Sequence, residues 1–249
     1  MKIHIFPDGE AVAVAAAEFI ASEARAAVES RGRFIMALSG GRTPWQMLGH
    51  LAEQQVPWAR VEVVQVDERI APAGDADRNL THLHESLAHA PLRQGQIHAM
   101  PVEEKDMDSA VRSYAKMLSQ IAGTPPVLDL VQLGLGADGH TASLIPHDAV
   151  LDVTETDVSL TGKYQERRRM TLSYPMLNRA RRIVWVIVGG EKAGMVARLF
   201  EGDVTVPAGR IRRDRAIVFA DKSAAGELPS SERREKCEWE SRQITAGSN

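Results

Sequence analysis

The sequence predicts an α/β fold in which a mainly parallel sheet is covered by helices on both faces. Short apolar runs alternate with amphipathic stretches along most of the chain, which is the pattern of repeated strand–helix units. Several of these runs are continuously apolar, as expected for parallel strands buried on both sides. No internal repeat or low-complexity linker interrupts the pattern. We therefore expect one domain over residues 1–228, followed by a polar tail at residues 229–249 that is mobile or loosely docked.

The elements are predicted in order from hydrophobic periodicity and from the residues that end each segment. The first helix, at residues 10–30, carries Val12, Phe19 and Ile20 near helical spacing and stops at Gly32. Strands are predicted at residues 2–6, 34–38, 61–66, 127–133, 170–173, 182–188 and 216–220, with a short strand ending near residue 100. The remaining helices are predicted at residues 45–54, from about 80, at 106–121, at 174–180 and from about 192 to 200.

The composition is ordinary for a soluble globular protein and excludes several classes. Of the 249 residues, 25% are charged and 44% hydrophobic. The net charge of −3 gives no reason to expect nucleic acid or a membrane surface as a partner, and no apolar run is long enough to span a bilayer. The single cysteine, Cys237, excludes an intramolecular disulfide and fits a cytoplasmic location. The first residues lack the pattern of a signal peptide.

The most informative stretch is the glycine-rich turn at residues 133–146, which follows a predicted buried strand. Three glycines fall within six residues and let the backbone approach a ligand closely. Open α/β sheets bind ligands at such strand ends. His140 can take and return a proton near neutral pH, and Asp138 could orient its imidazole ring. A purely structural turn is the alternative, but such a turn has no need of the histidine.

A second glycine turn leads from a predicted strand into a helix. Gly40 and Gly41 expose backbone N–H groups, the helix N-terminus adds a partial positive charge, and Arg42 adds a full one. We expect Thr43 as the N-cap and Pro44 at the first helical position. The turn favours a phosphate or a developing oxyanion, and an ordinary capped turn is the alternative. It matches neither a Walker A motif nor Gly-x-Gly-x-x-Gly, so a dinucleotide is poorly supported.

Further charged residues lie beside predicted strands and turns. The candidate phosphate ligands are Arg69, Arg78, Arg169 and Lys192. Asp67 could accept a sugar hydroxyl or hold Arg69 in place, and solvated charges are the alternative. Because the carboxyl ends of parallel strands share one edge of a sheet, the turns at Gly40, His140 and Lys192 should converge on one anionic ligand.

Five ordered blocks of the sequence resemble the 6-phosphogluconolactonase family. The longest is residues 134–146, with the run Asp-Gly-His-Thr-Ala-Ser-Leu, and the others lie at residues 38–44, 67–69, 169–178 and 190–193. The resemblance covers roughly residues 3–225. It implies a Rossmann-like three-layer α/β/α fold, which the family shares with glucosamine-6-phosphate deaminases and ribose-5-phosphate isomerases.

The resemblance implies hydrolysis of 6-phospho-D-glucono-1,5-lactone to 6-phosphogluconate, the second step of the oxidative pentose phosphate pathway. Such a carboxylic ester hydrolase would need no metal or organic cofactor, and His140 is the implied base. The expected partner is the phosphorylated sugar lactone, and the expected state is a monomer or weak homodimer. His147 stands where the family often has glycine; we expect a local loop difference there without loss of chemistry.

Two other functions fit the same pattern less well. One is an amino-sugar phosphate deaminase or isomerase on the same fold, whose comparable motif continues after Asp-Gly-His with an Asn-Glu-containing run. Thr141 to Leu144 argue against it. The other is a non-catalytic sugar-phosphate sensor. A pure binding protein has no need of a base, so His140 beside Asp138 disfavours this second alternative.

Overall fold

The structure, a computed structural model, describes residues 1–229. From residue 230 onward, the tail predicted at residues 229–249 lies outside the described residues. The strands are β1 (Lys2–Phe6), β2 (Phe34–Leu38), β3 (Val61–Gln65), β4 (Asp67–Arg69), β5 (Ile97–His98), β6 (Leu130–Leu133), β7 (Val158–Leu160), β8 (Arg169–Leu172), β9 (Arg182–Ile187) and β10 (Ala216–Asp221). The α-helices are α1 (Gly9–Arg31), α2 (Arg42–Ala52), α3 (Asn79–Ser86), α4 (Met107–Ala122), α5 (Tyr174–Asn178) and α6 (Ala193–Glu201).

Seven strands form one sheet in the order β1-β10-β9-β6-β2-β3-β5, and all neighbouring strands are parallel. Alternate side chains of each central strand enter two separate hydrophobic cores. Phe34 and Met36 of β2 pack toward α1, α2 and α3, whereas Ile35 and Ala37 pack toward α4, α5 and α6. The predicted fold, a parallel sheet between two layers of helices, is therefore confirmed. Across residues 1–229, no helix is both long and apolar enough to cross a membrane.

A second, small sheet was not predicted. It contains β4, β8 and β7 in antiparallel register. Asp67 to Arg69 were expected to end the main-sheet strand at residues 61–66, but they form β4 in this separate sheet. Arg69 pairs directly with Arg169 of β8. The small sheet therefore brings two arginines that are 100 positions apart in sequence to adjacent places above the main sheet.

The helix boundaries follow the predicted capping residues in one case and depart from them in another. Gly32 ends α1 with φ of +74°, as predicted. At its start, Asp8, which was not singled out as a cap, accepts a hydrogen bond from the N–H of Ala11 at 2.9 Å. The start of α2 was predicted incorrectly. Gly41, with φ of +129°, occupies the N-cap position, so the helix begins at Arg42 and Thr43 does not cap it.

Candidate active site

Loops at the carboxyl edge of the main sheet surround a cavity of about 610 Å³. The loops after β2, β6 and β9 all line it, so the predicted convergence of the turns at Gly40, His140 and Lys192 is confirmed. The small sheet closes the cavity from above through β4 and β8. Of the residues singled out from the sequence, the cavity is lined by Gly40, Gly41, Arg42, Asp67, Arg69, His140, Arg169 and Lys192.

His140 and Asp138 form a hydrogen-bonded pair at this cavity. The Nδ1 atom of His140 lies 2.5 Å from Oδ1 of Asp138. The same carboxylate oxygen accepts the backbone N–H of His140 at 3.1 Å. A Cβ atom on Gly136 would lie 2.1 Å from Nδ1 of His140 and 2.7 Å from the Asp138 carboxylate. Only glycine at position 136 therefore leaves room for this pair.

The environment keeps Asp138 ionised. Partial burial opposes its charge, but hydrogen bonds from His140 and from the Tyr164 hydroxyl outweigh this effect, and the pKa of Asp138 lies below its usual value. An ionised carboxylate only accepts hydrogen bonds, so Nδ1 of His140 carries the proton. Within residues 1–229, Nε2 of His140 has no hydrogen-bond partner, and the side chain is 25% exposed. Nε2 is therefore free to accept a proton from a molecule in the cavity.

The start of α2 provides uncharged donors for an anion. Gly41 is its N-cap, and within the described chain no side chain caps this end. The first N–H groups of the helix therefore stay available, and the helix dipole favours negative charge beside them. Arg42 opens the helix and lines the same cavity.

Four basic side chains line the cavity, and most have no acidic partner. Within residues 1–229, Arg42, Arg169 and Lys192 have no carboxylate within 4.0 Å, and Arg69 approaches Asp67 only to 3.9 Å. Burial and the nearby charge of Arg69 lower the pKa of the Arg169 guanidinium. The charge of this group is therefore incompletely balanced by the protein, which favours binding of a strongly anionic ligand.

Asp67 is buried, and two neighbouring side chains hold it. Its Oδ2 atom accepts the Ser143 hydroxyl at 2.6 Å, and its backbone oxygen accepts the Asn79 amide at 2.9 Å. The same Asn79 side chain accepts a hydrogen bond from Arg69. Of the two roles left open for Asp67, these contacts favour holding Arg69 in place over receiving a sugar hydroxyl.

Arg78 was named as a candidate phosphate ligand, and the structure does not bring it to the cavity. Its side chain is 2% exposed, and its Nε atom lies 3.1 Å from the fully buried Glu68 carboxylate. It also donates to the backbone oxygen of Ala71 at 2.8 Å and pairs with Glu103 at 3.0 Å. The local sequence could not reveal these partners, because they come from segments 7 to 25 residues away.

Asp138 itself lines a neighbouring cavity of about 590 Å³ and reaches the first cavity only through its bond to His140. The two arginines of the neighbouring cavity are already engaged: Arg198 pairs with Asp203 at 2.7 Å, and Arg210 donates to the backbone oxygen of Val204 at 3.1 Å. The cavity at the carboxyl edge, with its free base and unbalanced cations, is therefore the stronger candidate for the active site.

Comparisons with known proteins identify the family of this chain. A family model described as glucosamine-6-phosphate isomerases/6-phosphogluconolactonase matches residues 7–219. The 6-phosphogluconolactonase of Mycobacterium bovis is 35% identical over 245 residues, covering 92% of this chain and 99% of that protein. The chain belongs to this family. The resemblance found in the sequence blocks is thereby confirmed.

Solved structures of 6-phosphogluconolactonases and of a glucosamine-6-phosphate deaminase have a similar fold. The 6-phosphogluconolactonase of Trypanosoma brucei matches with a TM-score of 0.82 at 23% identity, covering 92% of this chain and 98% of that one. A monomeric glucosamine-6-phosphate deaminase matches with a TM-score of 0.78 at 17% identity, covering 91% and 99%. These two likenesses concern the fold alone, because both reaction types occur on it.

One departure from the family pattern now has a structural description. His147, where glycine is frequent, has φ of +65°. This is the left-handed region that glycine enters most easily, so the backbone of the loop keeps a conformation suited to glycine although the side chain differs. The side chain is exposed and lines the neighbouring cavity, not the one that contains His140.

Three residues at the site were not singled out from the sequence. Ser143 holds Asp67, Tyr164 donates to Asp138 at 3.1 Å, and Glu191 lines the cavity beside Lys192. Ser143 and Glu191 fall inside the recognised blocks, so their positions were available as a signal. Tyr164 lies in a basic segment, and its contact depends on strand pairing that the local pattern does not reveal.

Proposed function

We propose that this chain hydrolyses 6-phospho-D-glucono-1,5-lactone to 6-phosphogluconate, with His140 as the general base. The observation that carries the proposal is the proximity of two features in one cavity. One is the Asp138–His140 pair, whose Nε2 atom has no partner among residues 1–229. The other is a set of four basic side chains, three of which have no carboxylate within 4.0 Å in the same range. The first suits proton transfer to and from water, and the second suits a phosphate group.

The chemistry requires only a positioned base. Nε2 of His140 takes a proton from a water molecule as the water oxygen attacks the lactone carbonyl carbon. The carbonyl becomes a tetrahedral oxyanion, the bond to the ring oxygen breaks, and the imidazolium returns its proton to that oxygen. Asp138 holds the ring in the Nδ1-protonated form and stabilises the imidazolium while it exists.

The substrate phosphate belongs, in this proposal, between Arg69 and Arg169. These residues are paired across the small sheet, and a dianion between them would relieve their mutual repulsion. Arg42, Lys192 and the open N–H groups of α2 are available to the phosphate or to the oxyanion. Lys192→Ala should therefore mainly raise KM, which a substrate titration measures.

Three measurements on one preparation of the protein test the proposed reaction. The lactone is generated in situ from glucose 6-phosphate, and its loss is compared with the spontaneous background. Ammonia release from glucosamine 6-phosphate and equilibrium binding of 6-phosphogluconate are measured on the same preparation. Lactone loss well above background with no ammonia supports the proposal. Ammonia release would make the chain a deaminase, and binding without turnover would make it a sensor.

A further inference from the structure

A tight hairpin between β7 and β8 places one aromatic side chain over the active site. Tyr164 and Arg167 exchange backbone hydrogen bonds at 3.0 and 3.2 Å. The two residues between them, Gln165 and Glu166, have φ of +49° and +63°. This is a two-residue hairpin turn with both central residues in the left-handed region, where glycine and asparagine are usual. The turn fixes the direction in which Tyr164 leaves the hairpin.

The hairpin is also fixed to the protein from outside the cavity. Arg167 pairs with Asp75 at 3.0 Å and with Asp77 at 2.9 Å, both in the loop before α3. At the base of the hairpin, the backbone N–H of Arg169 donates to the Thr161 hydroxyl at 3.1 Å. The bond at the base closes the hairpin on itself, and the two ion pairs of Arg167 hold the turn, and so Tyr164, against the loop before α3.

Tyr164 contacts both functional halves of the cavity. Its hydroxyl donates to Oδ2 of Asp138 at 3.1 Å, while Oδ1 of that carboxylate holds His140. Its ring meets the His140 ring edge-on, with centroids 5.5 Å apart and an interplanar angle of 63°. The guanidinium of Arg169 lies over the same ring, 5.0 Å from its centroid.

Arg169 needs such support because little else orients it. Its side chain is 4% exposed, and within the described residues its Nε atom is buried without a hydrogen-bond partner. Among residues 1–229, its guanidinium makes one hydrogen bond, from Nη2 to the Gln165 side chain at 3.1 Å. The hairpin thus supplies both the ring under the guanidinium and the acceptor beside it.

From these contacts we propose that Tyr164 is a positioning residue for the hydrolysis: its hydroxyl fixes the Asp138–His140 pair, and its ring fixes Arg169 for the substrate phosphate. This inference rests on the proposed function for the roles of the base and the arginine. Burial and the bond to Asp138 raise the pKa of Tyr164, so the hydroxyl stays protonated and keeps donating. The second Asp138 oxygen is thereby satisfied, and the carboxylate is held toward Nδ1 of His140.

Two substitutions separate the hydroxyl from the ring. Tyr164→Phe removes only the hydrogen bond to Asp138; kcat should fall about 10-fold, the loss expected for one hydrogen bond to a charged group, with the Kd for 6-phosphogluconate unchanged. Tyr164→Leu also removes the ring, so the Kd for 6-phosphogluconate should rise about 3- to 10-fold. Tyr174→Phe is the matched control, because it removes a tyrosine hydroxyl that donates to Pro207 at 2.9 Å, away from the base.

The ¹⁵N spectrum of His140 provides a readout that does not depend on turnover. The wild type should show the Nδ1-protonated form, and Tyr164→Phe a mixture of both neutral forms, with Tyr174→Phe like the wild type. Wild-type kcat together with a wild-type ¹⁵N pattern in Tyr164→Phe would overturn the inference. If the wild type itself fails to hydrolyse the lactone, the proposed function fails, while the ¹⁵N comparison still decides whether Tyr164 orients His140.

Discussion

Arginine serves opposite purposes on the two sides of strand β4. This strand has only three residues, and successive side chains point to opposite sides. Glu68 points into the interior and accepts hydrogen bonds from the N–H groups of Asn79 and Leu80 at 2.8 Å, with Arg78 paired to it at 3.1 Å. Asp67 and Arg69 line the cavity. One short strand therefore joins a buried ionic cluster, Glu68 with Arg78 and the start of α3, to the candidate active site.

The two regions differ in how completely the protein itself satisfies their charges. In the buried ionic cluster, both carboxylate oxygens of Glu68 have donors and Arg78 reaches two carboxylates. In the cavity, Arg169 has no carboxylate within 4.0 Å among residues 1–229. Satisfied charges hold a structure together, whereas unsatisfied charges at a cavity are available to a ligand. Mutations in the buried ionic cluster should therefore lower the free energy of unfolding, whereas mutations at the cavity should change kcat or KM.

The largest effect is expected in the buried ionic cluster. Arg78→Met would leave the fully buried Glu68 carboxylate without its cation, and breaking such a pair from one side costs about 3–5 kcal/mol of unfolding free energy. Urea unfolding of the purified variant measures this loss. Glu103→Gln is the control: Glu103 is 56% exposed, so its bond to Arg78 should contribute less than about 1 kcal/mol. Equal losses in both variants would contradict the distinction.

The next effect concerns the close approach at Gly136. A methyl group there would collide with His140 and Asp138, and a displacement of the base by about 1 Å lowers kcat by about 10²-fold. The free energy of unfolding should change little by comparison, because His140 is partly exposed. Gly49→Ala provides the control, since a Cβ atom there meets nothing within 4 Å. A Gly136→Ala protein with wild-type kcat would show that this geometry is not needed.

A smaller effect is expected for Arg169, and it should appear in binding. Arg169→Met removes one of the proposed phosphate ligands, so KM should rise about 10-fold or more, while stability is kept because a repulsive contact with Arg69 is also removed. Arg168→Met, at the neighbouring exposed position, is the control and should keep the wild-type KM. The two KM values are compared by substrate titration. Loss of stability without a change in KM would place Arg169 with the structural arginines.

The smallest effect is a pH dependence that comes from Asp138. Its pKa is lowered in the folded protein by bonds from His140 and Tyr164 that outweigh the opposing effect of burial. Its stabilising contribution is therefore present above the unfolded-state pKa of about 4 and is lost as the pH falls through the folded-state pKa. Unfolding free energies at pH 6 and pH 3 should differ less in Asp138→Asn than in wild type. If the change in unfolding free energy between pH 6 and pH 3 were the same in both proteins, the pH dependence would not come from Asp138.

The central strands β2, β6 and β9 were predictable because they are largely apolar and lead into glycines. Phe34 to Leu38 is buried throughout, and such a run has few alternatives. The small sheet was not predictable in the same way. Of its strands, only β8 was predicted, at residues 170–173. β7 has three residues and β4 is fully charged, so pairing with distant segments makes these two strands.

The same limit explains which site residues were found. His140, Asp138, Gly40 and Lys192 lie in turns whose local chemistry indicates a ligand, and the parallel sheet brings those turns together. Arg78 and Arg169 were both named as candidate phosphate ligands, because both are arginines beside a predicted element. The two arginines differ because Glu68 pairs with Arg78, whereas the Glu68 side chain points away from the cavity that Arg169 lines. Tyr164 was missed because its contacts depend on hairpin geometry and not on spacing along the chain.

The most direct test of the account is the rate of lactone hydrolysis by His140→Ala, measured beside the affinity for 6-phosphogluconate. Removing a general base lowers kcat by about 10²–10⁴-fold, while the basic side chains of the cavity are untouched. The account predicts that loss of kcat together with a wild-type Kd for 6-phosphogluconate. A variant that hydrolyses the lactone at the wild-type rate would contradict it, because the base would then lie elsewhere.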